Sequence, residues 1–382
     1  MPLLIIPRLI FLLLSIFLLG AAAYLLWNWY DGEVVRQADG DLVRVRTDWF
    51  LWVGLGLLGF SFLGRPIVTL LLARPDTDPS KPERQSGRSI TGASGSSLYV
   101  EEIGSATAPP IVLIHGWAMD STIWFYAKRD LAKNFRVFCW DLPGLGNSIA
   151  ASPSTIGLTE FAQDLRTVMD LAGDAKVVLV GHSIGGMTIQ TLSRDDASYF
   201  NRRVAGTVLV NTTYTNPLKT MILSRLAQAI RWPILEPMMH LAILLKPLAW
   251  LGAWQSYLSG SAHMANRLGF GKYVTRSLLE HTTLLATRND PANIHRGNLA
   301  MFRWDATNAM AGVTPPLLVL SGAVDIVTKP KAGETIAGSH PGATHTTMDG
   351  ANHMGFLERP SAYNQAIETF ARSVNAAAGN WK

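Results

Sequence analysis

A serine at position 183 stands between glycines in Gly181-His182-Ser183-Ile184-Gly185-Gly186, directly after the β-branched apolar run Val177-Val178-Leu179-Val180. A strand ending at Gly181 and a helix leaving from Gly185 force a sharp turn, which holds the serine hydroxyl up into a cleft. Gly181 and Gly185 suit the two sides of the turn because a Cβ there clashes where strand and helix pass closely. A hydroxyl is a poor nucleophile until a neighbouring base takes its proton. His353, in the glycine-flanked loop Gly350-Ala351-Asn352-His353-Met354-Gly355, supplies a base that can return the proton later as an acid. Asp325, just past the buried-type run Leu317-Leu318-Val319-Leu320, supplies the carboxylate that fixes the imidazole tautomer. Attack on a carbonyl also creates an oxyanion, which needs two backbone N–H donors. Ile184, the residue after the serine and the start of a helix, offers one, and Trp117 in His115-Gly116-Trp117 offers the other.

Each of these residues has competitors. His240, His263, His281, His295, His340 and His345 are the alternatives to His353, and Asp349 and Asp305 the alternatives to Asp325. Asp141 also follows a strand-like run, but the Pro143-Gly144-Leu145-Gly146 behind it reads as a structural loop. His115 and Gly116 read as loop-ordering residues, Gly186 as elbow support, and His182 as a space-filling neighbour. The single cysteine, Cys139, lies inside a strand-like run and reads as a small core residue. No His, Cys, Asp or Glu set has metal-ligand spacing, and no glycine loop leads into Lys-Ser/Thr, so neither a metal nor another cofactor is expected.

The elements that must position these groups follow from the pattern of apolar runs. Strands are expected over 98–103, 111–114, 136–140, 176–180 and 204–210, with helices over 123–133, 158–171 and 184–193 between them. Short continuous apolar strands alternating with helices mean an α/β protein whose parallel sheet is covered on both faces. Sites in such sheets lie at the C-terminal strand ends. The alternation stops over 212–314, which reads as prolines punctuating Leu-, Met- and Trp-rich helices, and resumes at Leu317 to finish with a helix over 362–374. A helical insert beside the cleft is a lid. The expected organisation is therefore 1–75 as a membrane anchor, 76–97 as a linker and the start of a first hairpin, 98–211 and 315–382 as the two parts of a core, and 212–314 as the cap.

The anchor is read from hydropathy. Of the 382 residues 48% are hydrophobic and only 16% charged, and much of the apolar excess lies in the first 75. Residues 3–27 carry one charge, Arg8, and about 20 apolar residues span a hydrocarbon core. A second stretch over 49–73 is interrupted by Arg65-Pro66, which can mark the true end of a span. Together they read as a transmembrane helical hairpin. A cleavable signal peptide ending near Ala21-Ala22-Ala23 is the competing explanation, weakened because the apolar run starts before any positive charge and continues past the alanines. The arginine distribution favours both termini, and so the catalytic domain, on the cytoplasmic side by a small margin. The net charge of +5 comes from scattered Lys and Arg, which disfavours nucleic acid and is compatible with a membrane surface.

From about Ser89 onward the chain resembles the α/β-hydrolase fold superfamily. The matching pieces, in order, are His115-Gly116-Trp117, Asp141-Leu142-Pro143-Gly144-Leu145-Gly146-Asn147-Ser148, the Ser183 elbow, Gly322 to Asp325 and Asn352-His353. The resemblance implies a mostly parallel eight-stranded sheet, a helical cap and a catalytic triad in the order Ser, Asp, His. It is greatest to membrane-anchored lipase and esterase members, and a serine at the elbow argues against relatives whose nucleophile is Asp. The expected activity is hydrolysis of apolar carboxylic esters, small or lipid-like, through an acyl-enzyme. Acyl transfer or perhydrolase-type use of the same acyl-enzyme, and a non-catalytic member that only binds a ligand or partner, stay as alternatives.

Overall fold

Four of the apolar runs become strands with no solvent face, because β-branched side chains stack well on a pleated surface that is covered above and below. The computed structural model describes residues 5–76, 80 and 82–377. Among these, ten strands form: β1 (Glu33–Arg36), β2 (Leu42–Val45), β3 (Gly87–Thr91), β4 (Ser97–Ile103), β5 (Pro110–Ile114), β6 (Arg136–Trp140), β7 (Val177–His182), β8 (Val204–Val210), β9 (Leu317–Gly322) and β10 (Thr344–Met348). β3 to β10 make one eight-stranded sheet in the order β10-β9-β8-β7-β5-β6-β4-β3, with antiparallel pairing at β3-β4 and β4-β6 and parallel pairing elsewhere. Every residue of β5, β7, β8 and β9 is buried. At roughly 1.5–3 kcal/mol for each Val, Ile or Leu side chain fully buried, these strands stabilise the core together with the helices packed on both faces.

The register decides where the chemistry sits. Ile114 pairs with Gly181, Gly181 with Leu209, and Val210 with Leu320, so β5, β7, β8 and β9 all end along one edge of the sheet. The residues that follow those ends, Trp117, Ser183, Asn211 and Asp325, are thereby delivered to the same edge.

Three strands have no counterpart in the expected pattern. β10 reads Thr344-His345-Thr346-Thr347-Met348, half-exposed and without an apolar run, and it joins the sheet as its edge by pairing with β9. β1 and β2 form a separate antiparallel hairpin within the polar segment between the two apolar stretches.

The apolar stretches fold as α1 (Ile5–Asp31), α2 (Asp48–Leu63) and α3 (Arg65–Leu72). α1 is long and apolar enough to cross a membrane. The second stretch is not one straight helix: α2 and α3 meet at Gly64 with a bend of 69°, since Pro66 cannot continue the hydrogen-bond ladder. α1 packs along α2, where a Cβ on Gly54 would collide with Leu26. Small residues at such contacts let helix backbones approach.

The segment 212–314 is helical and lies over the C-terminal edge of the sheet. Its apolar centre is a pair of helices, Arg231–Leu244 and Lys246–Ser259, that meet at 103°. The N-terminal apolar helices and this helical segment over the sheet edge are joined by polar contacts. Ser15 Oγ lies 2.7 Å from Gln255 Oε1 and 2.8 Å from Ser259 Oγ. Arg65 donates to the Tyr257 hydroxyl (2.6 Å) and to Glu280 Oε1 (2.7 Å), and Glu280 Oε2 also meets His263 Nε2 at 2.9 Å. Arg84, in the Pro- and Ser-rich stretch before the sheet, is tied to the core by bonds to Asp141 (2.8 Å) and Asp120 (2.7 Å).

Candidate active site

The turn after β7 places Ser183 in a conformation that L-residues avoid, φ 54° and ψ −116°. Such a residue persists only when its surroundings over-determine it. Here the Ser183 amide donates to Val210 O (3.0 Å), and its carbonyl accepts from the Thr212 hydroxyl (2.6 Å). The flanking glycines have the expected cause. A Cβ on Gly185 would collide with the Ile114 carbonyl, and one on Gly181 with the Gly185 backbone.

His353 is fully buried on the loop between β10 and the C-terminal helices, and its Nδ1 donates to Asp325 Oδ2 at 2.9 Å. Its Nε2 has no hydrogen-bond partner among the described residues. Because Nδ1 carries the proton shared with the carboxylate, Nε2 is the basic nitrogen. Asp325 also accepts from the Val327 amide (2.7 Å), the Thr328 amide (2.9 Å), the Thr328 hydroxyl (2.8 Å) and Asn211 Nδ2 (3.2 Å). Five donors hold this buried carboxylate in one orientation.

The His353 loop and the Ser183 elbow are clasped together. His182 donates from Nε2 to the His353 carbonyl (3.0 Å), and its ring packs against Phe356 with centroids 4.6 Å apart. Burial, followed by the neighbouring His353, holds the His182 ring well below the ordinary histidine value, so it is a neutral brace. His182 therefore does more than fill space.

Asn352 is satisfied at every polar atom. Its amide donates to Leu268 O (3.0 Å) and Phe270 O (3.1 Å), and its oxygen accepts from the Ile326 amide (3.1 Å) and the His353 amide (2.8 Å). One side chain thus joins the cap, the Asp325 loop and the His353 loop. Asn211 does the same from the other side, donating to Asp325 and to Asn352 O (2.8 Å) while accepting from the Tyr363 hydroxyl (3.2 Å). Asn211, Thr328 and Tyr363 were not singled out from sequence. Asn211 had one signal: it is the first polar residue after the buried strand β8, at a C-terminal strand end.

The two oxyanion candidates are also located. Ile184 opens the elbow helix Ile184–Asp195, and Trp117 is buried in the loop after β5, directly before Ala118 with φ 62°. Among the described residues neither backbone N–H donates to a protein acceptor. A buried amide without an acceptor calls for a ligand or a function. The Trp117 ring is fixed by donation from Nε1 to Ile294 O (3.1 Å), so the cap also positions this loop.

His115 and Gly116 support that loop. His115 Nε2 accepts from the Leu142 amide (2.9 Å) and Nδ1 donates to Gly116 O (2.8 Å), with burial lowering the ring's basicity. A Cβ on Gly116 would press into His182 Nδ1 at 2.6 Å, and one on Gly186 into Thr212. Asp141 accepts from the Ser121 amide (2.6 Å), the Asn147 amide (2.8 Å) and Arg84, which makes it a loop clasp. Among the described residues the only other histidine on a carboxylate is His263, whose partner Glu280 belongs to the Arg65 network. Cys139 is buried, which pushes its thiol up to about 12. No group of three or more His, Cys, Asp or Glu among the described residues can hold a metal ion.

Comparison with known proteins agrees with this fold. Residues 109–360 match the alpha/beta hydrolase fold family. A pimeloyl-[acyl-carrier protein] methyl ester esterase of Nitrosospira multiformis is 27% identical over 290 residues, covering 72% of this chain and 98% of that protein. A Vibrio vulnificus protein of the same description is 22% identical over 271 residues, covering 69% and 94%. Among solved structures, an esterase from Exiguobacterium antarcticum superposes with a TM-score of 0.61 at 19% identity, covering 75% of this chain and all of its own. The enol-lactonase of Burkholderia xenovorans gives 0.58 at 22%, covering 74% and 99%. The family match begins at residue 109, after the N-terminal apolar helices. Residues 109–360 hold the elbow, the His353–Asp325 pair and the Trp117 loop, and the chain belongs to the α/β-hydrolase fold family.

Proposed function

We propose that this protein is a membrane-anchored serine hydrolase of carboxylic esters. The observation that carries the reading is the pair His353 Nδ1–Asp325 beside an unpartnered Nε2, on a loop clasped to the strained Ser183 elbow. Ser183 Oγ attacks the ester carbonyl as its proton passes to His353 Nε2, and the oxyanion is held by the Trp117 and Ile184 amides. Collapse breaks the ester C–O bond, and His353 returns the proton to the leaving alcohol. Water then attacks the acyl-enzyme, giving its proton to His353, and the acid leaves as Ser183 regains its hydrogen. The esterase descriptions of the relatives support the ester as substrate.

The apolar exposure supports a lipid interface. On the outer side of the cap, Leu244, Leu248 and Leu251 are 77%, 62% and 57% exposed, and Phe17 and Trp27 of α1 are 69% and 65% exposed. Trp254, in contrast, packs against Trp250 and Tyr257. α1 spans the bilayer, α2 with α3 forms a second, bent insertion, and the leucines of the cap rest on the membrane surface.

A fluorescent fluorophosphonate tests the chemistry. The wild type labels and Ser183→Ala does not; equal labelling of both, or of neither, refutes the nucleophile. Replacing Leu244, Leu248 and Leu251 together by Ser tests the interface, with an expected loss of about ten-fold on esters presented in vesicles relative to short soluble esters. An unchanged ratio removes the lipid interface from the reading.

A further inference from the structure

Arg8 is the one charged residue of α1 between Ile5 and Tyr30, and its position is unusual for an arginine at a membrane. A long basic side chain near a helix end ordinarily snorkels to water. Arg8 instead turns onto the cap, where Nη2 donates to Asn266 Oδ1 at 2.7 Å. No carboxylate among the described residues lies within ion-pair distance of it. A cation half-buried against the cap and left without a counter-ion is costly, and ionisable residues held inside membrane segments mark ligand paths.

Two cavities share Arg8 as a lining residue. The larger, about 220 Å³, lies between α1 and the cap, with Leu9 and Leu12 of α1 facing Met238, Met239 and Ala253. The smaller, about 10 Å³, is a crevice bounded by Arg8, Trp117, Met119 and Met354. Arg8, Asn266 and Ala286 line both. One wall of the crevice is therefore the proposed oxyanion loop, another is the residue next to His353, and its far end is the chamber. His295, on the chamber wall, is pushed down to about 4 by burial first and by the Arg8 charge second, so it does not add a second cation near neutral pH. The chamber is not wholly apolar: Asn298 is 2% exposed and its Oδ1 has no partner, so it can accept from a hydroxyl.

Resting on the ester-hydrolase reading above, we propose that the substrate is an anionic amphiphile: an ester with an acid group a few bonds from the scissile carbonyl and a medium-length aliphatic chain. Arg8 binds the acid group, and the space between α1 and the cap takes the chain. At about 30 Å³ for each water-sized group, the chamber holds roughly seven methylenes. The membrane anchor is thus part of the substrate site, which explains why α1 is bonded to the cap through Ser15 and Arg8 rather than only tethered. The acid group can be a phosphate, as in a lysophospholipid, or a carboxylate, as in an acylated hydroxy acid. Both present paired oxygens to a guanidinium.

The test uses the full chain in micelles of a neutral detergent. One arm compares 1-octanoyl-glycerol-3-phosphate with 1-octanoyl-glycerol, the other O-octanoyl-lactate with O-octanoyl-lactamide. In wild type the kcat/KM ratio of anionic to neutral ester is expected to exceed about ten in at least one arm, and that arm names the acid. Arg8→Gln brings the ratio to about one, and Arg8→Lys keeps part of it. A ratio that is the same in wild type and Arg8→Gln in both arms overturns the proposal. Should Arg8→Gln fail to fold, Leu12→Trp serves instead: it narrows the chamber and moves the preferred chain from about eight carbons towards four, and an unmoved optimum overturns the chamber. Octyl phosphate binding to Ser183→Ala, measured by calorimetry, separates the two levels. Arg8-dependent binding supports the site even if the fluorophosphonate test fails, and its absence counts against the site whatever that test gives.

Discussion

Asp325→Asn isolates the step on which the proposed chemistry depends. Oδ1 of Asp325 takes two backbone amides, and Oδ2 takes the Thr328 hydroxyl, Asn211 Nδ2 and His353 Nδ1. An asparagine keeps its oxygen toward the two amides, which are fixed by the loop, and so turns its NH2 toward three groups that are themselves donors. The Thr328 hydroxyl can rotate to accept, but Asn211 is held by Asn352 O and cannot. His353 relieves the conflict by moving its proton from Nδ1 to Nε2. That tautomer accepts at Nδ1 and has no basic nitrogen left for Ser183. The expected loss in kcat is about 10⁴-fold, the size of effect a wrong tautomer produces in a serine triad. At about 1.4 kcal/mol per decade this is roughly 5.5 kcal/mol of barrier. Hydrolysis of p-nitrophenyl hexanoate and the rate of fluorophosphonate labelling both report it. Activity within ten-fold of wild type, with an unchanged fold by circular dichroism, refutes the assignment of Asp325.

Other consequences concern stability. Gly185→Ala drives a methyl into the Ile114 carbonyl, separating β5 from the elbow helix; the full chain is expected to lose its cooperative thermal transition or to have it lowered by several degrees. Arg84→Ala leaves Asp141, which is fully buried, and Asp120 without their shared cation, at a cost of about 3 kcal/mol read from denaturant unfolding. His281 and His295 are each pushed down from 6.5 to about 4, first by burial. Between those values the unfolded chain binds protons that the folded chain refuses. Stability is therefore whole above about pH 6.5 and declines as the pH falls toward 4. The thermal midpoint should drop from pH 7.5 to pH 5, and replacing both histidines by Gln should flatten the drop.

The elbow, the His353–Asp325 pair and the parallel sheet were legible from residue order alone, because each has a local cause. A continuous Val/Leu run makes a strand buried on both faces, a glycine marks each close approach, and a polar residue just past such a strand lies at the edge where loops converge. β10 was not legible, since an edge strand of Thr and His has no apolar signature and exists through its pairing with β9. Nor was the bend of 69° between α2 and α3, although Arg65-Pro66 marked its place.

What sequence alone determined was the set of groups and their order along the chain. What tertiary structure decided was their company: Asn211 and Asn352 bracing Asp325 and His353 from opposite sides, and Arg8 turned from the start of α1 onto the cap 258 residues away. Local pattern reports what a segment buries and how it turns. Which distant side chain completes a hydrogen bond or leaves a charge unanswered depends on packing between elements, and no window along the chain contains it.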